Sequence, residues 1–198
     1  MSTFYVLIKN HQQLRTYIRV LSCLMVFLAL FIPVNGQRLI SFSSKWNNQL
    51  NEWEFETDKD ANAGEVSMQW IMNSDWTDWK VTLGNETGRL KLKWPDNSNE
   101  WELRIGGEII TIRTAWRDRF NEWVVTSDQG RFTIRTVHGN SLEAWETLNR
   151  TDNYIGFYTS WEGDPRKWTI VDEMKEGVSV YTKIALVFIP ILHSIPRN

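Results

Sequence analysis

Along most of this chain apolar and polar residues alternate with a period of two, the pattern of strands with one buried face. The alternation recurs with tryptophan at a fixed place. Trp53-Glu-Phe55, Trp79-Lys-Val81-Thr-Leu83, Trp101-Glu-Leu103-Arg-Ile105, Trp123-Val-Val125 and Trp168-Thr-Ile170 each open on an indole. Trp145 completes the set. Successive members of Trp53, Trp79, Trp101, Trp123, Trp145 and Trp168 lie 26, 22, 22, 22 and 23 residues apart. A second family of strands returns from each of these. Ile110-Thr-Ile112-Arg-Thr114-Ala-Trp116 and Ile155-Gly-Phe157-Tyr-Thr159-Ser-Trp161 are examples, and Leu39-Ile40-Ser41-Phe42 precedes the first marker.

Between a marker strand and its return the sequence turns. Gly106-Gly107 is a two-residue hairpin signal, and glycine precedes the returning strand at Gly64, Gly88, Gly130 and Gly177. Between a return and the next marker the spacing is fixed. Seven residues separate Trp46 from Trp53, Met72 from Trp79, Trp116 from Trp123, His138 from Trp145 and Trp161 from Trp168. An apolar residue (Leu50, Trp76, Phe120, Leu142) sits mid-connection and is expected to pin it. Trp94-Pro95-Asp96-Asn97-Ser98-Asn99-Glu100 lacks this anchor and reads as a shorter exception.

The expected fold is all-β: an antiparallel meander of about six hairpins of ~22 residues, closing into a barrel. A β-trefoil and an open or solenoid-like sheet are the alternatives. Across the Gly106-Gly107 turn Leu103 should face Ile110, Trp101 face Ile112, and Glu100 face Arg113. The same column pairs Asp78 with Lys93 and Glu122 with Arg135. The apolar face has no amphipathic helix to cover it, so inward indoles are expected to fill the barrel. At the C-terminus, Val178-Ser-Val180-Tyr-Thr182 reads as a last returning strand. Ile184 to Leu192, broken by Pro190, reads as a final strand pairing with residues 39–46 to close the sheet, with a plug or an exposed patch as the alternative.

Residues 1–36 differ from the rest. Lys9, Arg15 and Arg19 precede an almost wholly apolar stretch, Val20 to Val34, and Val34-Asn35-Gly36 carries small residues before Gln37. This is the pattern of a secretory signal peptide, with an uncleaved anchor as the alternative. The expected division is therefore 1–36 as a signal segment and 37–198 as one domain, placing the protein outside the cytoplasm: secreted, periplasmic or in the cell envelope. A membrane enters only through an uncleaved N-terminal segment. Without that segment no cysteine remains, and 19 basic side chains face 24 acidic ones, a net charge of −5. That balance disfavours nucleic acid as a partner, because phosphate binding rests on clustered positive charge.

The chain contains 12 tryptophans, an unusual load for 198 residues. Its chemistry is otherwise sparse. No nucleophile elbow, phosphate-cradling glycine loop or histidine-rich metal spacing is found, so no catalytic residue, metal or cofactor is assigned. The acids Glu52, Asp78, Glu100 and Glu122 recur with the strands and face basic residues, a structural pattern; a hydrolase using two of them is the least favoured reading. The loops Asn73-Ser74-Asp75 and Asp96 to Glu100 are oxygen-rich as turns are. Asn85-Glu-Thr87 and Asn149-Arg-Thr151 match the N-glycosylation acceptor. What remains is binding. Where the basic column fails, Tyr158 and Tyr181 occupy it, opposite Ala144 and Lys167, and Tyr154 lies near the adjoining turn. Tyr154, Tyr158, Tyr181, His138 and Trp94 are the candidate ligand-binding residues. The function expected is an exported, non-enzymatic, Trp-rich β-repeat protein that binds a carbohydrate or a protein; the alternative is a structural, envelope-associated scaffold.

Overall fold

The computed structural model describes residues 36–60, 63–73, 75–139 and 141–195. The expected signal segment lies outside the described residues, apart from Gly36. Over the described residues the chain is an antiparallel meander of twelve strands closed into a barrel. They are β1 (Leu39–Ser44), β2 (Glu52–Thr57), β3 (Gly64–Met68), β4 (Asp78–Leu83), β5 (Glu86–Leu92), β6 (Glu100–Ile105), β7 (Glu108–Trp116), β8 (Arg119–Ser127), β9 (Gly130–His138), β10 (Ser141–Thr147), β11 (Asn153–Trp161) and β12 (Asp164–Met174). One helix, α1 (Val180–Ser194), follows. Each strand pairs with its sequence neighbours, and β12 closes on β1 through Phe42 opposite Trp168.

The alternation works as the sequence implies. Trp53, Trp79, Trp101, Trp123, Trp145 and Trp168 all point inward and are at most 1% exposed. A buried indole needs a partner for its N–H, and all six find the same one. Each Nε1 donates to the backbone carbonyl three residues earlier: Leu50, Trp76, Ser98, Phe120, Leu142 and Pro165, at 2.7–3.1 Å. The expected apolar anchor holds in part: Trp76 and Phe120 pack on Trp79 and Trp123 at centroid distances of 5.7 and 5.9 Å. The constant element is a carbonyl, which every residue supplies, so Ser98 and Pro165 serve as well as Leu50. The connection before Trp101 is no exception either, since Trp94 also stands seven residues ahead of its marker.

The registers around Gly106-Gly107 agree with expectation: Leu103 faces Ile110, Trp101 faces Ile112, Glu100 faces Arg113, and Glu122 faces Arg135. Asp78 does not face Lys93. The β4–β5 turn falls at Gly84-Asn85, so Asp78 lies opposite Lys91 and forms its ion pair with Arg89. Gly88, which looked like the turn glycine, lies within β5. A Cβ there would sit 2.3 Å from Ile105 Cβ and 2.4 Å from the Arg104 carbonyl, so only glycine fits beside β6.

The C-terminal expectation is overturned. Residues 180–194 are a helix inside the barrel, and closure falls to β12 rather than to the C-terminal run. Ser179 caps the helix by accepting from Thr182 N (3.2 Å), a side-chain acceptor for one of the orphan first-turn amides. The segment is apolar around its whole circumference, as a fully enclosed helix must be, and Val180 through Leu192 are all buried. Geometry explains why it is needed. Twelve strands about 4.8 Å apart and tilted about 40° enclose a cylinder roughly 24 Å across. A helix with its side chains is about 10–12 Å wide, which leaves about 6 Å on each side for a layer of indoles. Phe188 contacts Phe42, Trp53 and Trp79 at centroid distances of 5.9, 6.1 and 5.1 Å. His193 packs against Trp101, Phe120 and Trp123 at 6.0, 4.6 and 4.7 Å.

One ion pair is sealed within this core. Asp172 continues the inward series of Trp168 and Ile170, and its side chain is wholly buried. It meets the buried Lys183 of α1 at 3.0 Å. Its other acceptor positions take the backbone amides of Leu39 (2.9 Å) and Met174 (3.0 Å). Lys183 also donates to the Gln37 carbonyl (2.9 Å). The pair thereby joins α1, β12 and the segment entering β1 at the closure seam.

Candidate functional site

A meander places every odd-to-even connection at one end of the barrel. Six connections lie there: β1–β2, β3–β4, β5–β6, β7–β8, β9–β10 and β11–β12. The residue seven positions before each marker tryptophan falls on this rim. In order these residues are Trp46, Met72, Trp94, Trp116, His138 and Trp161. All are exposed; the four indoles are 48%, 55%, 62% and 70% exposed in chain order. The β3–β4 connection adds Trp70, Ile71 and Met72 in and beside a short 3-10 turn, all three exposed. The rim therefore carries a crown of aromatic and apolar side chains. The outer wall below it is charged, with Glu54, Lys80, Lys91, Arg104, Arg131 and Glu173 among its exposed positions. A lipid-spanning barrel would show an apolar band there instead.

Several of these indoles are held in place. Lys45-Trp46 and Lys93-Trp94 share a frame in which the glutamate six residues after the tryptophan takes both groups. Trp46 Nε1 donates to Glu52 Oε2 (3.0 Å), with Lys45 Nζ 3.6 Å from the same oxygen. Trp94 Nε1 donates to Glu100 Oε2 (3.2 Å) while Lys93 Nζ pairs with Glu100 Oε1 (2.7 Å) and lies 5.9 Å from the Trp94 ring centroid. Asp78, at the corresponding place before Trp79, accepts from Arg89 and from the Trp70 side chain. Its hydrogen bonds from Arg89 hold this carboxyl below its ordinary value. The hydrogen bond to Glu65, seconded by its charge, raises the Lys45 ammonium. Trp116 and Trp161 share a different frame: each flanks a two-residue turn, opposite Arg119 and Asp164 respectively. The second turn residue has positive φ in both, Gly163 at 73° and Asp118 at 59°. Asp118 is held in that uncommon conformation by Asn99, whose Oδ1 accepts from Asp118 N (2.7 Å) and whose Nδ2 donates to Asp118 Oδ1 (2.9 Å).

Lys45, Lys93, Arg117 and Arg166 on the rim are matched by carboxylates, whereas exposed Arg119 beside Trp116 has no ion pair among the described residues. Lys45 lies within 4.0 Å of Glu52, Glu54 and Glu65; Arg117 pairs with Asp118 at 3.6 Å and Arg166 with Asp164 at 2.6 Å. Between the β1–β2 and β3–β4 connections a cleft of about 420 Å³ is lined by Asn48, Gln49, Leu50, Asn51, Ile71 and Trp76. This mixes side-chain amides with apolar surface. Among the described residues no group of three or more His, Cys, Asp and Glu side chains is arranged to hold a metal ion.

The five residues singled out from sequence do not form one site. Trp94 and His138 belong to the crown. Tyr158 is about half exposed and faces Ala144 on the outer wall, as its register implied. Tyr154 shares that wall and lies across Gly156, where a Cβ would come within 2.5 Å of its hydroxyl. Tyr181 is buried in the first turn of α1 at the opposite end, its ring against Gly106. Burial, then the nearby Glu86 and Glu108 charges, raises its phenol above the ordinary value. Tyr181 was expected on a returning strand and stands on the helix instead. Trp46, Trp116 and Trp161 were missed as site residues because they were read as the ends of connections. Their seven-residue offset from the buried series was the available signal.

The chain matches no protein-family model, no curated protein and no solved structure.

Proposed function

We propose that this chain is an exported, non-enzymatic binding protein that takes a carbohydrate on its aromatic crown. One observation carries the reading: four indoles recur at the same offset from the buried series, on one rim, with about half or more of each side chain exposed. Indoles present large apolar faces at little cost in conformational freedom, and large exposed apolar patches mark interaction sites. Two of the four have their edges fixed by glutamates, so their faces are set before a ligand arrives. Pre-organisation of this kind lowers the ordering cost of binding.

The chemistry around the indoles favours a neutral, hydroxyl-rich ligand. Sugar rings offer apolar C–H faces to stack on indoles and hydroxyls to meet Asn48, Gln49 and Asn51. Four of the rim cations, Lys45, Lys93, Arg117 and Arg166, are occupied by carboxylates, which argues against an anionic partner. The same pairing supports the non-enzymatic reading, because Glu52, Asp78 and Glu100 each hold a cation and an indole rather than standing free as acid or base. Export rests on residues 1–36 alone.

A scaffold role is the second reading, and the close-packed interior supports it: the buried indoles pack around α1. A glycan array with the purified protein, followed by tryptophan emission titrations, tests the proposal. Binding to neutral glycans with a shift in emission is expected. No response to any neutral glycan would leave the scaffold reading in its place.

A further inference from the structure

The crown is not evenly filled, and the closure of the barrel decides how its parts are grouped. Taken around the rim, the six positions are Trp46, Met72, Trp94, Trp116, His138 and Trp161, and β12 pairing with β1 makes Trp161 the neighbour of Trp46. The four indoles therefore form two neighbouring pairs, Trp161 with Trp46 and Trp94 with Trp116. Met72 and His138 occupy the two intervening positions, with exposed Trp70 beside Met72, so the pairs lie on opposite sides of the rim.

Each pair is stitched across its own strand boundary. Arg166 Nη1 donates to the Asn47 carbonyl (3.2 Å), tying the β11–β12 connection to β1–β2. Asn99 binds Asp118 and accepts from Thr114 Oγ1 (2.9 Å), tying β5–β6 to β7–β8. Each pair also unites one indole of each frame: Trp46 and Trp94 are held by glutamate, while Trp161 and Trp116 flank two-residue turns. From the strand spacing and tilt, neighbouring connections are about 12 Å apart and opposite ones about 24 Å. One short sugar chain can reach both indoles of a pair but cannot lie on both pairs without crossing the barrel mouth.

Resting on the carbohydrate reading, we propose that the rim holds two separate sites of like composition, one on each side, and that the protein cross-links polysaccharide. The ligand class is a β-1,4-linked gluco-configured chain. Its equatorial hydroxyls leave apolar faces on both sides of every ring, suited to stacking on indoles. Its lack of charge matches a rim on which Lys45, Lys93, Arg117 and Arg166 are already paired.

The test is isothermal titration of the full chain with cellotetraose, alongside turbidity and light scattering with a soluble β-glucan. The wild type is expected to bind two cellotetraose molecules and to form large cross-linked complexes with the polymer. Trp46→Ala/Trp161→Ala and Trp94→Ala/Trp116→Ala should each retain one site and lose cross-linking. Two sites on one polymer also raise its apparent affinity, so each double variant should bind the polymer about 10²–10⁴-fold more weakly than the wild type. A wild-type stoichiometry of one overturns the two-site inference without any variant and leaves the carbohydrate reading standing. Loss of all binding in one double variant does the same. No heat with cellotetraose overturns the inference, and silence across the glycan array removes the carbohydrate reading with it.

Discussion

A chain ended at Gly177 is expected to lose cooperative folding altogether. The barrel is too wide to fill itself with wall side chains, and α1 supplies the missing volume. Nine large side chains of the helix are buried: Val180, Tyr181, Ile184, Leu186, Val187, Phe188, Ile189, Ile191 and Leu192. At about 1.5–3 kcal/mol each, their removal costs about as much as, or more than, the whole stability of an ordinary domain, about 5–15 kcal/mol. The six inward indoles would also face an empty centre. The truncated chain should show no sigmoidal urea transition and should bind a hydrophobic dye. A single Phe188→Ala substitution should keep the fold but cost about 3–5 kcal/mol, because this ring touches Phe42, Trp53 and Trp79. A truncated chain that unfolds cooperatively would show that the barrel stands without its plug.

Replacing Asp172 with alanine is expected to destabilise the fold by about 3–5 kcal/mol, measured by urea denaturation at neutral pH. Removing one partner of a buried pair leaves the other charge uncompensated, which costs far more than the pair itself contributes. Here Asp172→Ala leaves the buried Lys183 ammonium with the Gln37 carbonyl and also strips acceptors from the amides of Leu39 and Met174. Lys183→Met should cost less, since the carboxylate keeps those two amide donors. Equal, small losses in both variants would mean that the seam is held by strand pairing alone.

Most of the wall was legible in the sequence because two periods reinforced each other. Alternation assigned the faces, and the near-22-residue spacing of the markers located the even-numbered strands. Asp78 was displaced because a glycine was taken as the mark of a turn, when Gly88 is required by the close approach of β6. The helix was harder to read. A short apolar run carries no face, so Ile184 to Leu192 fits a buried strand as well as an enclosed helix. Two features could have decided it: Ser179 at the cap, and a lone lysine in an apolar run matched by a lone aspartate on the inward face of β12. The crown was hidden differently. Trp46, Trp94, Trp116 and Trp161 resemble the buried tryptophans in type, and only the direction of the chain at each connection separates the six that pack from these four, which with Trp70 face outward on the rim.

That division of labour can be measured by substituting Trp46, Trp94, Trp116 and Trp161 together by alanine and recording urea unfolding and glycan titration on the same preparation. Exposed positions contribute little to folding, within about 0.5 kcal/mol each, so the variant should unfold cooperatively near the wild type while its glycan binding disappears. A variant that folds and still binds, or one that no longer folds, would contradict a crown built for recognition on a barrel held by its inner indoles.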